Sequence, residues 1–320
     1  MNANPRHIPM RRHPLDGSGF EVSVVSVGTS PLGGMPETYG YDVAEEQAIA
    51  TVAQFTRSSM NLIDTSNEYG AGESERRIGI ALAESTLKLG DLIVATKADP
   101  EPGATSFDAA RVRSSFTESI TRLGLTSVPI YHLHDPERFS FESMIAPGGA
   151  IDGMRQLKEE GLVELIGVAG GDLEQMYRYV DTGEFDILLN HSQYNLIDRT
   201  ADDLITHARA AGLHYFNAAP YASGMFAKSP SEHPRYQYRT PPDDVVATTR
   251  WLHAECARYD LPLAALALQF STRDPRVTTT IVGVSSPARI DALEANEALE
   301  IPDALWESVC DRLGIRREWR

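Results

Sequence analysis

Residues 60–75 read M-N-L-I-D-T-S-N-E-Y-G-A-G-E-S-E. An apolar run stops at Asp64, a tyrosine follows at Tyr69, and a glycine-bearing polar stretch leads on. A short apolar run bounded by a turn signal reads as a buried strand. Its neighbours along the chain decide what sheet it joins. Similar runs recur at 22–28, 92–97, 128–134, 165–170, 187–193, 213–219 and 278–284. With 60–64 that makes eight candidate strands. Most are continuous apolar runs rather than alternations, as a parallel sheet covered on both faces requires.

The intervening segments carry helical spacing. Residues 43–55 place Ala44, Ile49, Val52 and Phe55 near one face, and 106–123 repeats Val112, Phe116, Ile120 and Leu123 at steps of three and four. Capping signals precede them: Asp42, then Ser106 or Asp108, then Asp172. Eight β-then-α units predict an α/β fold, a (β/α)₈ TIM barrel, as one domain over residues 1–320. An open doubly wound sheet is the alternative, but it calls for G-x-G-x-x-G after the first strand, where this chain has G-T-S-P-L-G-G. Residues 14–23 read as a small hairpin closing the barrel bottom. Two helical stretches, about 243–259 and 262–271, precede the last strand, and one more amphipathic helix follows position 300.

Composition narrows the function classes. Asp and Glu number 45 against 29 Lys and Arg, a formal charge of −16. So acidic a chain repels phosphate backbones, which argues against a nucleic-acid partner. Cys256 and Cys310 stand apart with no zinc-ligand spacing, and read as small apolar side chains in a reducing compartment. The first residues lack the apolar core of a secretory signal, and no run approaches the ~18 apolar residues of a membrane helix. The expectation is a cytoplasmic protein without a membrane partner or a metal.

Barrel enzymes carry their chemistry at the C-terminal ends of the strands. There this sequence has Asp64 with Tyr69 in the next loop, then Lys97, then His134. Each has an ordinary structural explanation alone, but four titratable groups on three successive strand ends form a constellation. A tyrosine ionises near pH ~10, too high for a base at neutral pH, and an adjacent ammonium stabilises its phenolate. Asp64 holds that lysine charged, and a histidine nearby hydrogen-bonds a substrate oxygen. Such a set suits carbonyl–alcohol interconversion, with the hydride exchanged with a nicotinamide.

These stretches resemble the aldo-keto reductase superfamily over nearly the whole chain. The resemblance rests on D-T-S-N-E-Y-G-A-G-E-S-E (64–75), V-A-T-K (94–97), Y-H-L-H-D-P (131–136), K-E-E-G-L-V-E-L-I-G-V (158–168) and I-V-G-V-S-S-P-A-R-I (281–290). It implies a barrel binding NAD or NADP in extended form, and a tetrad of Asp64, Tyr69, Lys97 and His134 with Tyr69 as general acid/base.

The implied cofactor positions are Gly28, Thr29, Asp64, His191, Ala218, Gly283, Val284 and Arg289. Several depart from the family pattern. Ala169 and Gly170 stand where many members have Ser-Asn to bind the carboxamide. His191, with Asn190 and Gln193 close by, stands where many have a glutamine. Ala218 takes the place of a stacking tyrosine, and Tyr221 substitutes for it where its loop turns inward. Gly283 replaces a lysine that pairs with the 2′-phosphate, and Arg289 is left to contact the adenosine phosphate. The preference expected is NAD or dual use.

The departures, and A-A-P-Y-A-S-G-M (218–225), resemble the branch that oxidises free sugars at C1, such as L-fucose, D-threo-aldose and plant-type L-galactose dehydrogenases. The implied partner is a small carbonyl or sugar substrate, including a pyridoxal-like lactol, with Tyr236 and Tyr238 stacking on it. The alternatives are a general NADPH-dependent aldehyde/ketone reductase and a nucleotide-sensing regulatory subunit like the potassium-channel β-subunits.

Overall fold

The computed structural model describes residues 10–84, 92–228, 236 and 240–316. β1 (Arg12–Leu15) and β2 (Phe20–Ser23) pair as an antiparallel hairpin. Eight further strands follow: β3 (Val25–Gly28), β4 (Leu62–Asp64), β5 (Ile93–Ala98), β6 (Val128–His134), β7 (Val163–Gly170), β8 (Ile187–His191), β9 (His214–Ala218) and β10 (Val277–Gly283). They close into a parallel barrel in chain order, with β10 pairing both β9 and β3.

The crossovers run through α1 (Pro36–Tyr39) and α2 (Glu45–Phe55), α3 (Glu73–Glu84), α4 (Ala109–Leu123), then α5 (Phe141–Ile145) and α6 (Ala150–Glu159). They continue through α7 (Leu173–Asp181), α8 (Asp202–Ala210), and then α9 (Asp243–Ala257) with α10 (Leu263–Thr272). α11 (Pro287–Ala298) and α12 (Asp303–Leu313) complete the chain. All eight expected strands are present, and the closed order excludes the open sheet. Among the described residues, no helix is long and apolar enough to cross a membrane. Both cysteines are buried free thiols.

The expected first strand, 22–28, is really two. Ser23 donates its N–H to Asn61 Oδ1 (2.8 Å), and Asn61 Nδ2 reaches the Glu21 carbonyl (2.7 Å). This side-chain staple separates β2 from β3 and consumes Asn61, so β4 starts later than the apolar run suggests. Among the helix caps, Asp108 and Asp172 accept from Arg111 N and Gln175 N. Asp42 does not cap: its carboxylate takes the N–H of Val43, and α2 begins after Ala44. The buried face of α2 is Ala48, Thr51, Val52 and Phe55, with Ala44 exposed. On α4, Val112, Phe116 and Leu123 are buried as expected, whereas Ile120 is only half-buried.

Two cores result. The larger lies between strands and helices. The smaller fills the barrel with Leu62, Ile93, Ala95, Ile130, Leu165, Ile187, Leu189, Phe216 and Ile281. Leu15 and Val22 of the hairpin belong to that inner core, and Asp16 N donates to His214 Nε2 at 3.0 Å. The hairpin therefore plugs the bottom of the barrel, and the open end is the opposite one.

Candidate active site

Side chains alternate along a strand, so each barrel strand ends with one last residue facing inward. Those eight residues are Gly28, Asp64, Lys97, His134, Ala169, His191, Ala218 and Gly283, and all of them line one cleft of about 520 Å³. Register sets them side by side: Gly28 opposite Asp64, His134 opposite Ala169, His191 opposite Ala218, and Gly283 opposite Gly28. The ring divides by chemistry. Asp64, Lys97, His134 and His191 are ionisable, whereas Gly28, Ala169, Ala218 and Gly283 are the smallest residues available. Asp64, Lys97 and His134 end three successive strands and offer proton chemistry, while the arc from Ala169 round to Gly28 offers space, interrupted by His191.

Lys97 is 1% exposed. Its Nζ donates to Asp64 Oδ1 and to the Thr65 carbonyl, both at 2.7 Å. Burial pushes the Asp64 carboxyl above the usual range, against the pull of Lys97 and His134. The same ammonium lies 4.8 Å from the centre of the Tyr69 ring. The Tyr69 ring meets the His134 ring edge-on, with centres 5.8 Å apart. The four side chains of the expected tetrad thus form one contiguous group.

The loop after β4 explains how Tyr69 gets there. Gly70 has φ +62°, and a Cβ on it would lie 2.1 Å from the Gly33 carbonyl oxygen. Only glycine permits so close an approach to the turn after β3. Ser74, at the start of α3, donates to the Thr29 carbonyl at 2.9 Å and locks the two loops together.

Thr29 itself does not line the cleft. It is fully buried, and its hydroxyl donates to the Asp64 carbonyl at 2.8 Å, so it acts on the site through Asp64's backbone. The remaining expected cofactor positions, Val284 and Arg289, line the cleft, as does Tyr221. Asn190 and Gln193 are not among the lining residues: Asn190 Nδ2 binds the Gly170 carbonyl and Gln193 Oε1, each at 2.9 Å. His191 opens onto the cleft, yet the surrounding protein desolvates its ring and pushes its pKa down.

After β7 the small residues make room for an acid. Glu137 Oε1 accepts the N–H groups of Gly171 (2.7 Å) and Asp172 (3.2 Å), and a Cβ on Gly170 would lie 2.5 Å from Glu137 Oε2. Tyr236 packs against the larger core rather than lining the cleft, and burial together with Asp198 pushes its phenol up to about 12. Tyr238 lies outside the described residues.

The sequence reading missed Ser30, Tyr39, Tyr41, Glu68, Asp135 and Lys228, which also line the cleft. Lys228 Nζ sits 5.5 Å from the Tyr41 ring centre, and Tyr39 donates to Ser30 Oγ at 2.7 Å. These residues lie in loops or in single-turn helical pieces, Tyr39 ending α1, that are too short to show a periodicity. The backbone of the structure marks the same cleft: Asp135, Ser192, Ala219 and Ser223, all lining it, have positive φ. Non-glycine residues held there cluster at functional sites.

The model of the Aldo/keto reductase family matches residues 25–310. L-galactose dehydrogenase of Arabidopsis thaliana is 32% identical over 283 residues, covering 87% of this chain and 85% of the relative. D-threo-aldose 1-dehydrogenase of a Pseudomonas species is 27% identical, covering 92% and 95%. An aldo-keto reductase of Bacillus halodurans, solved in its holo form, superposes with a TM-score of 0.77 at 22% identity, covering 96% and 97%. The chain belongs to the aldo/keto reductase family of oxidoreductases.

Proposed function

We propose that this protein oxidises an aldose at its anomeric carbon to the lactone, using NAD or NADP. The carrying observation is the ring of strand ends in one cleft: Asp64, Lys97 and His134 on successive strands, facing an arc of the smallest residues broken only by His191. The small arc suits a flat nicotinamide, and the family is a nicotinamide-dependent one. When bound, that cofactor accepts the hydride from carbon. The protein's residues handle the proton. Tyr69 removes it from the anomeric hydroxyl, Lys97 stabilises the resulting phenolate, and Asp64 keeps Lys97 charged. His134 binds the same oxygen from the other side.

The sugar reading draws on the relatives that oxidise aldoses and on the residues beside Tyr69. Glu68 and Asp135 supply carboxylate acceptors for sugar hydroxyls, and Tyr39 and Tyr41 supply aromatic faces. α11 offers an uncapped helix start, since Ser286 makes no side-chain cap, and Arg289 lies in its first turn. Together they suit the cofactor's phosphates. Gly283 in place of a lysine, with Arg289 as the cation at the start of α11, favours NAD or dual use.

The test is a screen of NAD+ and NADP+ reduction with aldoses at mildly alkaline pH, beside NADPH oxidation with aldehydes. Aldoses are expected to turn over, and Tyr69→Phe to abolish it. Turnover of aldehydes alone sinks the sugar assignment. Tyr69→Phe with full activity sinks the acid/base role.

A further inference from the structure

His134 presents two edges to different surroundings. Nδ1 lies 2.6 Å from Asp99 Oδ1 and 3.2 Å from Ser66 Oγ. Nε2, on the other edge, is 3.9 Å from Asp135 Oδ1, a residue of the cleft wall. Asp99 is held on every side. It is 1% exposed, and its Oδ2 accepts from the Ser66 hydroxyl and from Glu68 N at 3.0 Å. Its own N–H goes to Ser115 Oγ at 3.0 Å, and its carbonyl takes Arg111 Nε at 2.9 Å. A carboxylate fixed in this way cannot swing aside when the ring beside it changes state.

A neutral imidazole has one proton for two nitrogens. With a carboxylate on Nδ1, that proton stays on Nδ1, and Nε2 shows the cleft a lone pair. Only a second proton turns the cleft-facing edge into a donor, and an anion at ion-pair distance favours it. We propose that Asp99 is a positioning residue for the reaction: it holds His134 as an imidazolium whose Nε2–H is donated to the oxygen on the reacting carbon. This rests on the cleft being the reaction site, as proposed above, and extends it by a residue outside the tetrad.

The electrostatic surroundings agree. Burial opposes charge on His134, but Asp99 and Asp135 outweigh it and raise its pKa; Lys97 works against them. Burial likewise works to raise Asp99, and His134, Ser66 and Glu68 N overcome it, so its pKa is lowered. The other titratable groups that act on the ring are Tyr69 from the β4 loop, Asp64 at the end of β4, His132 of its own strand, and His191 from β8, whose pKa desolvation lowers. Glu68, Asp99 and His134 also have ligand atoms within 4.8 Å of one another. The positive charge there is already supplied by Arg138, 3.1 Å from Glu68 Oε2 and 3.6 Å from Asp99 Oδ1.

Two readouts on the full chain test this. In protein labelled with ¹⁵N-histidine, with His134 assigned through His134→Gln, the ring stays doubly protonated above the ordinary histidine range. In Asp99→Asn its titration moves to lower pH. This arm needs no turnover, so it stands or falls independently of the sugar assignment. The second readout is the pH profile of carbonyl reduction with NAD(P)H. Asp99→Asn shifts the alkaline limb to lower pH and lowers kcat at mildly alkaline pH by at least about tenfold. Where Asp99→Asn does not fold, Asp99→Ser, smaller and equally neutral, is measured the same way. An unmoved His134 titration, or a kcat loss equal at every pH, overturns the proposal.

Discussion

At the scale of single residues, the site is a chain of buried charges, each dependent on the next. Lys97→Met removes the cation between Asp64 and Tyr69. It leaves a carboxylate that burial already disfavours, and losing one partner of a buried pair costs about 3–5 kcal/mol. A methionine of similar length is expected to lower kcat by roughly 100-fold or more, with the loss deepest near neutral pH where the phenolate most needs support. A near-normal rate in steady-state assays would remove Lys97 from the proton chemistry. The Asp99–His134 pair makes a separate claim on stability. Asp99's pKa is lowered from 3.8, so its contribution is present above that value and fades as pH falls through the folded pKa. His134's is raised from 6.5, so its contribution is complete below that value and fades as pH rises through the folded pKa. Between those two values the wild type should exceed Asp99→Asn by about 1–3 kcal/mol in urea unfolding, the gap narrowing on either side. A gap independent of pH refutes the ion pair.

At the scale of elements, the loop after β4 does more than carry Tyr69. Its close approach to the Gly33 turn ties the ends of β3 and β4 together, and a methyl at position 70 has no room. Gly70→Ala is expected to cost about 1–3 kcal/mol in thermal unfolding through its positive φ and the clash. It should lower kcat more than it raises the KM for the cofactor, because the displaced residue is Tyr69. Equal effects on both parameters would place the strain elsewhere. At the start of α11, Arg289→Ala should raise the KM for NADP+ about 10- to 100-fold and that for NAD+ less, as expected for loss of a charged hydrogen bond to a phosphate. These elements also show where a sequence is legible. Strand-end residues follow from alternation alone, and one more step of two beyond Lys97 reaches Asp99. Thr29 follows Gly28 at the end of β3, yet its hydroxyl is spent on the Asp64 carbonyl. Nothing in one-dimensional spacing distinguishes a hydroxyl that faces a cleft from one that stitches two strands. The staple by Asn61 is similar: a polar residue inside an apolar run reveals its role only when Glu21 and Ser23 are beside it.

At the scale of the molecule, the barrel separates chemistry from stability along its axis. The open end carries the ionisable ring, and the hairpin end carries an apolar plug. The barrel was legible because eight apolar runs, spaced by helical segments, call for a parallel sheet buried on both faces, and G-T-S-P-L-G-G in place of G-x-G-x-x-G after the first strand turns the choice from the open sheet to the closed one. The substrate end was legible only in its strand ends. The segments that add Glu68, Asp135, Tyr39 and Lys228, three loops and the single turn of α1, are positioned by tertiary contacts such as the Lys228–Tyr41 stack, not by periodicity. The same separation yields a test that uses no active-site residue. Leu15 is 1% exposed and packs in the inner core at the hairpin end. Leu15→Ala opens a cavity there, with an expected loss of about 2–5 kcal/mol. With the strand ends rigidly joined around the ring, kcat and both KM values should stay within about twofold at temperatures where the variant is folded, since no interaction made with the reacting atoms is removed. Chemical denaturation and steady-state kinetics on one preparation measure both halves. A large fall in kcat in the folded variant would mean that the floor of the barrel is coupled to its mouth, through the inner core to which Leu62, Phe216 and Ile281 belong.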